Sequence, residues 1–107
     1  MKRIFVEAED FKEQVDSLDE ENLLQTIQNE ILKDPEAGKL VVGTGGIRKI
    51  RVGAKSKGKS GGIRVFYLDI STKGKCYLLF ILEKSEAENI GAEEKKELRE
   101  IAKFLKS

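Results

Sequence analysis

The hydrophobic and polar positions in the first third of the chain predict a strand followed by two helices. Arg3 to Val6 has the branched and aromatic side chains typical of a short strand. From Glu9 to Leu18, the apolar residues fall on one side of one or two helical turns. A clearer helix is indicated from about Glu20 to Leu32, where apolar residues recur at helical spacing. It ends at Asp34-Pro35, because proline disfavours a helical conformation in the residue before it.

The middle of the chain predicts three strands in succession. Ile47 to Val52 alternates weakly, and Ile63 to Ile70 is rich in branched and aromatic residues. Cys76 to Leu82 is a continuous apolar run, which suits a buried strand. Leu40 to Gly46 is expected to be a connector, and Ser71-Thr72-Lys73-Gly74 a turn. Three strands in this order predict an antiparallel meander.

Two finer expectations concern the last strand and the last helix. Strict alternation along the strand puts Tyr77 on the face opposite Leu78, Phe80 and Leu82. The final helix is predicted from about Ala92 to Lys106. Its apolar stripe consists of Leu98, Ile101, Ala102 and Leu105. Phe104 lies off that stripe, where it could contact a partner.

Together these elements predict an α+β fold: a short N-terminal strand, a helical pair, a three-stranded antiparallel meander and a C-terminal helix. The helices are expected to cover one face of the sheet. The chain has 107 residues, no internal repeat and no linker long enough to divide it. We therefore expect a single domain spanning residues 1–107.

The distribution of charge changes this picture more than the net charge of +1 does. The segment from Thr44 to Arg64 contains seven basic residues and no acidic one. The rest of the chain has 13 basic and 19 acidic residues, a net charge of −6. A positive centre in an otherwise acidic protein predicts binding to a polyanion. The alternative is that the basic segment is only a solvated loop.

Several other kinds of chemistry are not expected. The pair Lys59-Ser60 is not part of a nucleotide-binding loop, because a strand rather than a helix follows it. The chain has no histidine and one cysteine, Cys76, so a zinc site, a nucleophilic triad and an internal disulfide are not expected. No metal or cofactor is predicted. The sequence shows neither a secretion signal nor a segment that could span a membrane. We therefore expect a cytoplasmic location, and we expect no membrane partner.

The basic segment itself predicts a hairpin suited to phosphates. The hairpin extends beyond the basic segment at both ends, and its sequence is GTGGIRKIRVGAKSKGKSGGIRVFYLDI, from Gly43 to Ile70. Glycines let backbone N–H groups approach an anion, and alternating loop lysines can follow successive phosphates. Arg48 and Arg64 belong to strands, where a rigid scaffold directs a side chain whose planar head suits bidentate phosphate contacts.

This same segment resembles the HigB-like branch of the RelE/ParE toxin superfamily. The resemblance runs from the opening strand to the last helix, and it is most specific from Gly43 through CYLLFILEKSE to Glu86. It implies a compact α+β toxin that cleaves messenger RNA in the ribosomal decoding site without a metal. It also implies a cognate antitoxin protein as a partner.

The resemblance also implies particular site residues. Arg64 matches an arginine that helps to hold and polarise the scissile phosphate, Lys57 belongs to the matching basic loop that grips RNA, and Lys84 matches a lysine after the last strand, close to the active cleft. These three are the expected catalytic residues. The remaining expected RNA-binding residues are Arg48, Lys49, Arg51, Lys55 and Lys59. Many relatives have tyrosine-glycine just before the lysine that matches Lys84, whereas this chain has Leu82-Glu83.

Three functional hypotheses follow. The first is a ribosome-dependent mRNA endonuclease, in which the RNA 2′-hydroxyl attacks the adjacent phosphorus. The second is a relative that binds RNA or the ribosome without cleaving, because the family tyrosine is replaced by Leu82. The third is a gyrase poison of the ParE type. The antitoxin could either mask the basic segment with acidic residues or pack against apolar surface such as Phe104.

Overall fold

The structure is a computed structural model that describes residues 2–53, 62–83 and 90–107. Its strands are β1 (Ile4–Glu7), β2 (Lys39–Leu40), β3 (Arg48–Val52), β4 (Ile63–Ile70) and β5 (Lys75–Glu83). Its helices are α1 (Glu9–Leu18), α2 (Leu23–Lys33) and α3 (Ala92–Lys106), and a 3₁₀ turn spans Ser71–Lys73. Within the described residues, no helix is long and apolar enough to cross a membrane.

The predicted α+β fold is confirmed, with its N-terminal strand, helical pair, meander and C-terminal helix in the expected order. Two elements differ from the prediction. The two-residue strand β2 was not predicted, and its second residue, Leu40, is the first residue of the segment expected to be a connector. Helix α2 begins at Leu23 rather than near Glu20, because Asp19 and Asn22 have φ angles of 47° and 64°, which interrupt a right-handed helix.

In the described part of the chain, the strands form one sheet in the order β1-β5-β4-β3-β2. The predicted meander of β3, β4 and β5 forms its centre, with antiparallel pairing throughout. Strand β1 adds to the far side of β5 in parallel, with Phe5 beside Cys76. The parallel pairing of β1 with β5 could not be predicted from local sequence patterns, because the two strands are distant in the chain.

The expectation that all helices cover one face of the sheet is wrong. Phe11, Leu23 and Ile27 of α1 and α2 pack against one face, whereas Leu98 and Ala102 of α3 pack against the other. Strand β4 supplies both clusters by alternation: Ile63, Val65 and Tyr67 face α1 and α2, and Phe66, Leu68 and Ile70 face α3. The meander therefore has buried side chains on both faces, which accounts for the continuous apolar run in β5.

A bulge in β5 overturns the expectation for Tyr77. The pairing register between β4 and β5 shifts by one residue at Phe66/Tyr67, so that Phe80 pairs with Phe66 but Leu78 pairs with Tyr67. Because of the extra residue, Leu79, the side chains after it face the side of the sheet opposite to the one that strict alternation would give. Tyr77 and Phe80 therefore both pack in the α3 cluster, whereas Leu78 packs on the opposite face.

Two polar side chains, one buried and one half-buried, fix the framework around this sheet by hydrogen bonds. The Tyr67 hydroxyl donates to Pro35 O at 2.8 Å and accepts from Gly38 N at 3.0 Å, which anchors the connector after α2. A Cβ at Gly38 would lie 2.6 Å from that hydroxyl, so only glycine fits there. The Gln14 side chain exchanges two hydrogen bonds with the backbone of Ile81, which holds the end of β5 against α1.

Candidate nucleic-acid interface

The β3–β4 pairing brings three of the predicted RNA-binding side chains onto one face of the sheet. Arg51 pairs directly with Arg64, and Lys49 pairs with Phe66, two residues further along β4. Because side chains alternate across a strand, all three point to the α3 side. Directly opposed residues have Cβ atoms about 5 Å apart, so Arg51 and Arg64 form a close pair of like charges. We call Lys49, Arg51 and Arg64 the cationic face.

The position of Arg64 is fixed by the narrow base of the hairpin. It is the second residue of β4, directly after Ile63, which pairs with Val52. Gly62 has a φ of +67°, and a Cβ there would lie 2.8 Å from Val52 O. Only glycine combines that backbone angle with such close contact. The turn into β4 is therefore tight, and Arg64 is held on a paired strand rather than in the loop.

Arg64 has a buried polar atom that the described residues leave without a hydrogen bond. Its side chain is half-buried, and its Nη1 atom is buried with no hydrogen-bond partner among the described residues. Arg51 lies directly across the strand pair and adds a like charge. A buried nitrogen of a guanidinium group ordinarily has a hydrogen-bond partner, so Nη1 is a candidate donor to a ligand. An anion bound at the cationic face would accept that hydrogen bond.

Apolar side chains lie beside the cationic face and lower the local dielectric constant. Leu82 of β5 pairs with Arg64, and Phe80 pairs with Phe66. The two phenylalanine rings are stacked, with centroids 4.4 Å apart and planes 10° from parallel. A charge interaction beside such a surface is stronger than one in bulk water. These neighbours were not predicted as part of the site, because cross-strand register is needed to find them.

Arg48 lies apart from the cationic face. It pairs with Tyr67, which faces α1 and α2. Its Nη1 donates to Gly38 O at 2.7 Å and to Glu36 O at 3.1 Å, and its Nη2 is 3.8 Å from the Glu36 carboxylate. These contacts tie β3 to the connector after α2. An RNA-binding role for Arg48 stays a prediction, with its guanidinium engaged by the protein itself.

Several predicted site residues lie outside the described residues. These are Lys55, Lys57 and Lys59, which lie between β3 and β4 in the sequence, and Lys84, which follows β5 in the sequence. Their assignments as RNA-binding or catalytic residues stay predictions.

Neither tyrosine lies beside Arg64. Tyr67 is fully buried on the opposite face, and burial raises the pKa of its hydroxyl. Tyr77 shares the face of Arg64 but pairs with Leu68, four residues further along β4. The residue directly opposite Arg64 on β5 is Leu82, the position where the family resemblance places a tyrosine.

Comparison with known proteins gives two findings. Residues 2–107 match the family model described as the RelE toxin of the RelE/RelB toxin–antitoxin system. The solved structure of a free-state double mutant of the E. coli toxin RelE is similar to this chain with a TM-score of 0.58 and 24% identity. That match covers 81% of this chain and 87% of the E. coli chain.

Proposed function

The chain belongs to the RelE toxin family, whose toxins act as ribosome-dependent mRNA endonucleases, and we propose that it cleaves mRNA by means of the cationic face. The observation that supports this proposal is Arg64, a strand-held arginine opposite a second arginine, with a buried nitrogen that has no hydrogen-bond partner among the described residues. Such an arrangement costs folding stability, and a phosphate group in the site would offset that cost. A placement in the HigB-like branch stays a prediction.

The proposed reaction uses the RNA as its own nucleophile. The 2′-hydroxyl loses its proton to water and attacks the adjacent phosphorus, which forms the O2′–P bond. The P–O5′ bond breaks, and the leaving 5′-oxygen takes up a proton. Arg64 donates hydrogen bonds to the non-bridging oxygens as negative charge accumulates on them. Removal of one such donor costs about 3 kcal/mol of transition-state stabilisation in other enzymes.

The remaining cations bind and align the RNA. Lys49 and Arg51 extend the positive surface along β3 from Arg64. We propose that Lys55 and Lys59 continue it along the loop and that Lys57 and Lys84 neutralise charge near the scissile phosphate. In this proposal the lysines act by electrostatic stabilisation of the phosphates rather than by removing a proton.

One observation favours a second candidate function. Leu82 stands opposite Arg64, where the family resemblance places a tyrosine, and leucine cannot transfer a proton. A toxin with this site could bind the ribosome and block translation without cutting the message. The cationic face serves both functions, because RNA binding precedes cleavage.

Mapping of mRNA ends separates the two candidates. We propose induced expression of the chain and of an Arg64→Ala variant, followed by primer extension on translated messages and, in parallel, on messages lacking a start codon. Cuts in codon register, only in translated messages and absent with the variant, support the endonuclease. Blocked translation without cuts supports the binding protein. DNA damage without either would indicate the gyrase poison and overturn both.

A further inference from the structure

A second surface with opposite electrostatic character lies on the same side of the sheet. It is an apolar groove of about 630 Å³ between β5, the first half of α3 and the start of α1. Its floor is formed by Leu79, Phe80 and Leu82, and Ile101 of α3 forms part of one wall. The bulge creates this floor, because it directs the adjacent residues Leu79 and Phe80 to the same face. We call this cavity the α3 groove.

The charges around the α3 groove exclude RNA as its occupant. Asp10, Glu94 and Glu97 line it, and no basic residue does within the described part of the chain. A polyphosphate would be repelled by three carboxylates, whereas apolar side chains accompanied by lysine or arginine would be attracted. The cationic face binds the RNA, so the groove selects a different class of ligand.

Its exposed apolar surface is of the kind found where proteins associate. Ile101 was expected in the buried stripe of α3, but 44% of its surface is exposed. Val6 and Ile4 of β1 are also exposed, and alternation puts them on the α3 side because Phe5 packs on the other face. Ala8, the next residue in that alternation, lines the groove. Apolar surface therefore continues from the groove along the edge of the sheet.

The α3 groove and the cationic face share a boundary. Leu82 lines the groove and pairs with Arg64 across β4 and β5. A polypeptide segment in the groove would therefore lie against the site where the RNA phosphate is proposed to bind. It would exclude messenger RNA by volume, without having to neutralise each cation.

We propose that the α3 groove is the docking site of the antitoxin and that it takes a segment whose apolar side chains are flanked by lysine or arginine. The proposal rests on the function proposed above, since it takes the partner of this toxin to be its antitoxin. It goes further by assigning the surface and the chemistry of the segment that binds to it.

The test uses the full chain co-expressed with the antitoxin encoded beside it, and the affinity of the purified complex. Ile101→Asp puts a charge on the groove wall, and Phe104→Asp makes the same change on the same helix at a residue that is 76% exposed and does not line the groove. We expect Ile101→Asp to weaken binding at least about 30-fold, the loss typical of a central apolar contact, and Phe104→Asp to leave it within about twofold.

A second pair of variants tests the charge of the occupant. Glu97→Lys reverses a charge at the groove, and Glu100→Lys makes the same change at an exposed residue of α3 outside it. Glu94 is not used, because its carboxylate also accepts a hydrogen bond from Gly91 N at the start of α3. We expect Glu97→Lys to weaken binding about fivefold at low salt and less at high salt, and Glu100→Lys to have little effect.

The outcomes separate the inference from the proposed function. All four variants, expressed without antitoxin, should remain folded and toxic, since none alters the cationic face. If wild-type toxin forms no complex with the adjacent gene product, the antitoxin pairing itself fails. If the complex forms but Ile101→Asp binds like wild type, or Phe104→Asp is the variant that disrupts it, the groove is not the docking site. Stronger binding by Glu97→Lys would show that the segment is acidic.

Discussion

Replacement of Arg64 by methionine should stabilise the protein while abolishing its activity. Methionine keeps much of the volume of the side chain but removes the charge opposite Arg51 and the buried Nη1 that has no hydrogen-bond partner among the described residues. Relief of the like-charge pair is worth about 0.2–1 kcal/mol. Removal of an unsatisfied buried donor is worth about 1–3 kcal/mol, less here because the side chain is only half-buried. We expect a net gain of about 1–2 kcal/mol in the free energy of unfolding.

The matched control is Arg48→Met, the same substitution at the opposite end of the same strand pair. The Arg48 guanidinium donates to Gly38 O and Glu36 O, so its loss removes hydrogen bonds rather than strain. We expect this variant to be destabilised by about 1–2 kcal/mol. The two arginines thus differ in the sign of their effect on stability, although a sequence-based argument assigns both to RNA binding.

Thermal and urea unfolding of the three proteins measures the effect directly. A gain of 1–2 kcal/mol corresponds to a rise in Tm of roughly 4–10 °C for a domain of this size. Toxicity on induction and mRNA cleavage in a translation extract give the activity. A folded Arg64→Met variant that is less stable than wild type and still cleaves mRNA would show that Arg64 is a structural residue, and it would remove the main support for the proposed site.

Four further outcomes are expected. Tyr67→Phe should cost about 1–3 kcal/mol in urea unfolding, because it leaves Gly38 N and Pro35 O without their buried partner. Burial raises the pKa of the Cys76 thiol from 9.0 to about 12. The unfolded chain therefore loses this proton more readily, so the free energy of unfolding should fall as the pH rises above about 9, by at most about 1.4 kcal/mol per pH unit. Cys76→Ala should reduce that fall. The binding constant for RNA or ribosomes should decrease with salt concentration, with a log–log slope of about −3 to −5 if four to seven basic residues contact phosphates. A flat dependence would indicate that the basic segment is only a solvated surface. Leu82→Tyr should raise the cleavage rate by about a hundredfold if a tyrosine opposite Arg64 can transfer a proton, and an unchanged rate would indicate that catalysis here needs only charge stabilisation.

The parts of the fold that were predictable are those encoded in local patterns. The bounds of β4 and α3 follow from the composition of Ile63–Ile70 and the periodicity of Ala92–Lys106, and α2 ends where proline requires it to end. The helices on opposite faces were not predictable in this way. A continuous apolar run in a strand indicates that both of its faces are buried. It does not indicate which helix covers which face, because that depends on connections between distant segments.

The candidate site was predicted in part for the same reason. Charge and glycine content located the basic hairpin, and the pairing of Arg51 with Arg64 requires only that β3 and β4 be neighbours. Arg48 differs because its neighbours are carbonyl groups of the connector after α2, which no pattern in β3 indicates. The α3 groove depends on one inserted residue, Leu79, since strict alternation would direct Leu79 to the opposite face from Phe80.

The division of charge across one side of the sheet explains how a single small surface can serve two ligands. Outside the segment from Thr44 to Arg64 the chain has a net charge of −6, and the α3 groove is lined by part of that negative charge. On the two assignments proposed above, RNA would be attracted to the cationic face and repelled from the groove, and a basic, apolar protein segment would have the opposite preference. Leu82 borders both the α3 groove and the cationic face, so the two ligands would exclude each other by volume although each binds to different charged residues. Inhibition by the antitoxin should therefore persist at about 1 M salt, where the screening length is near 3 Å and RNA binding is already lost.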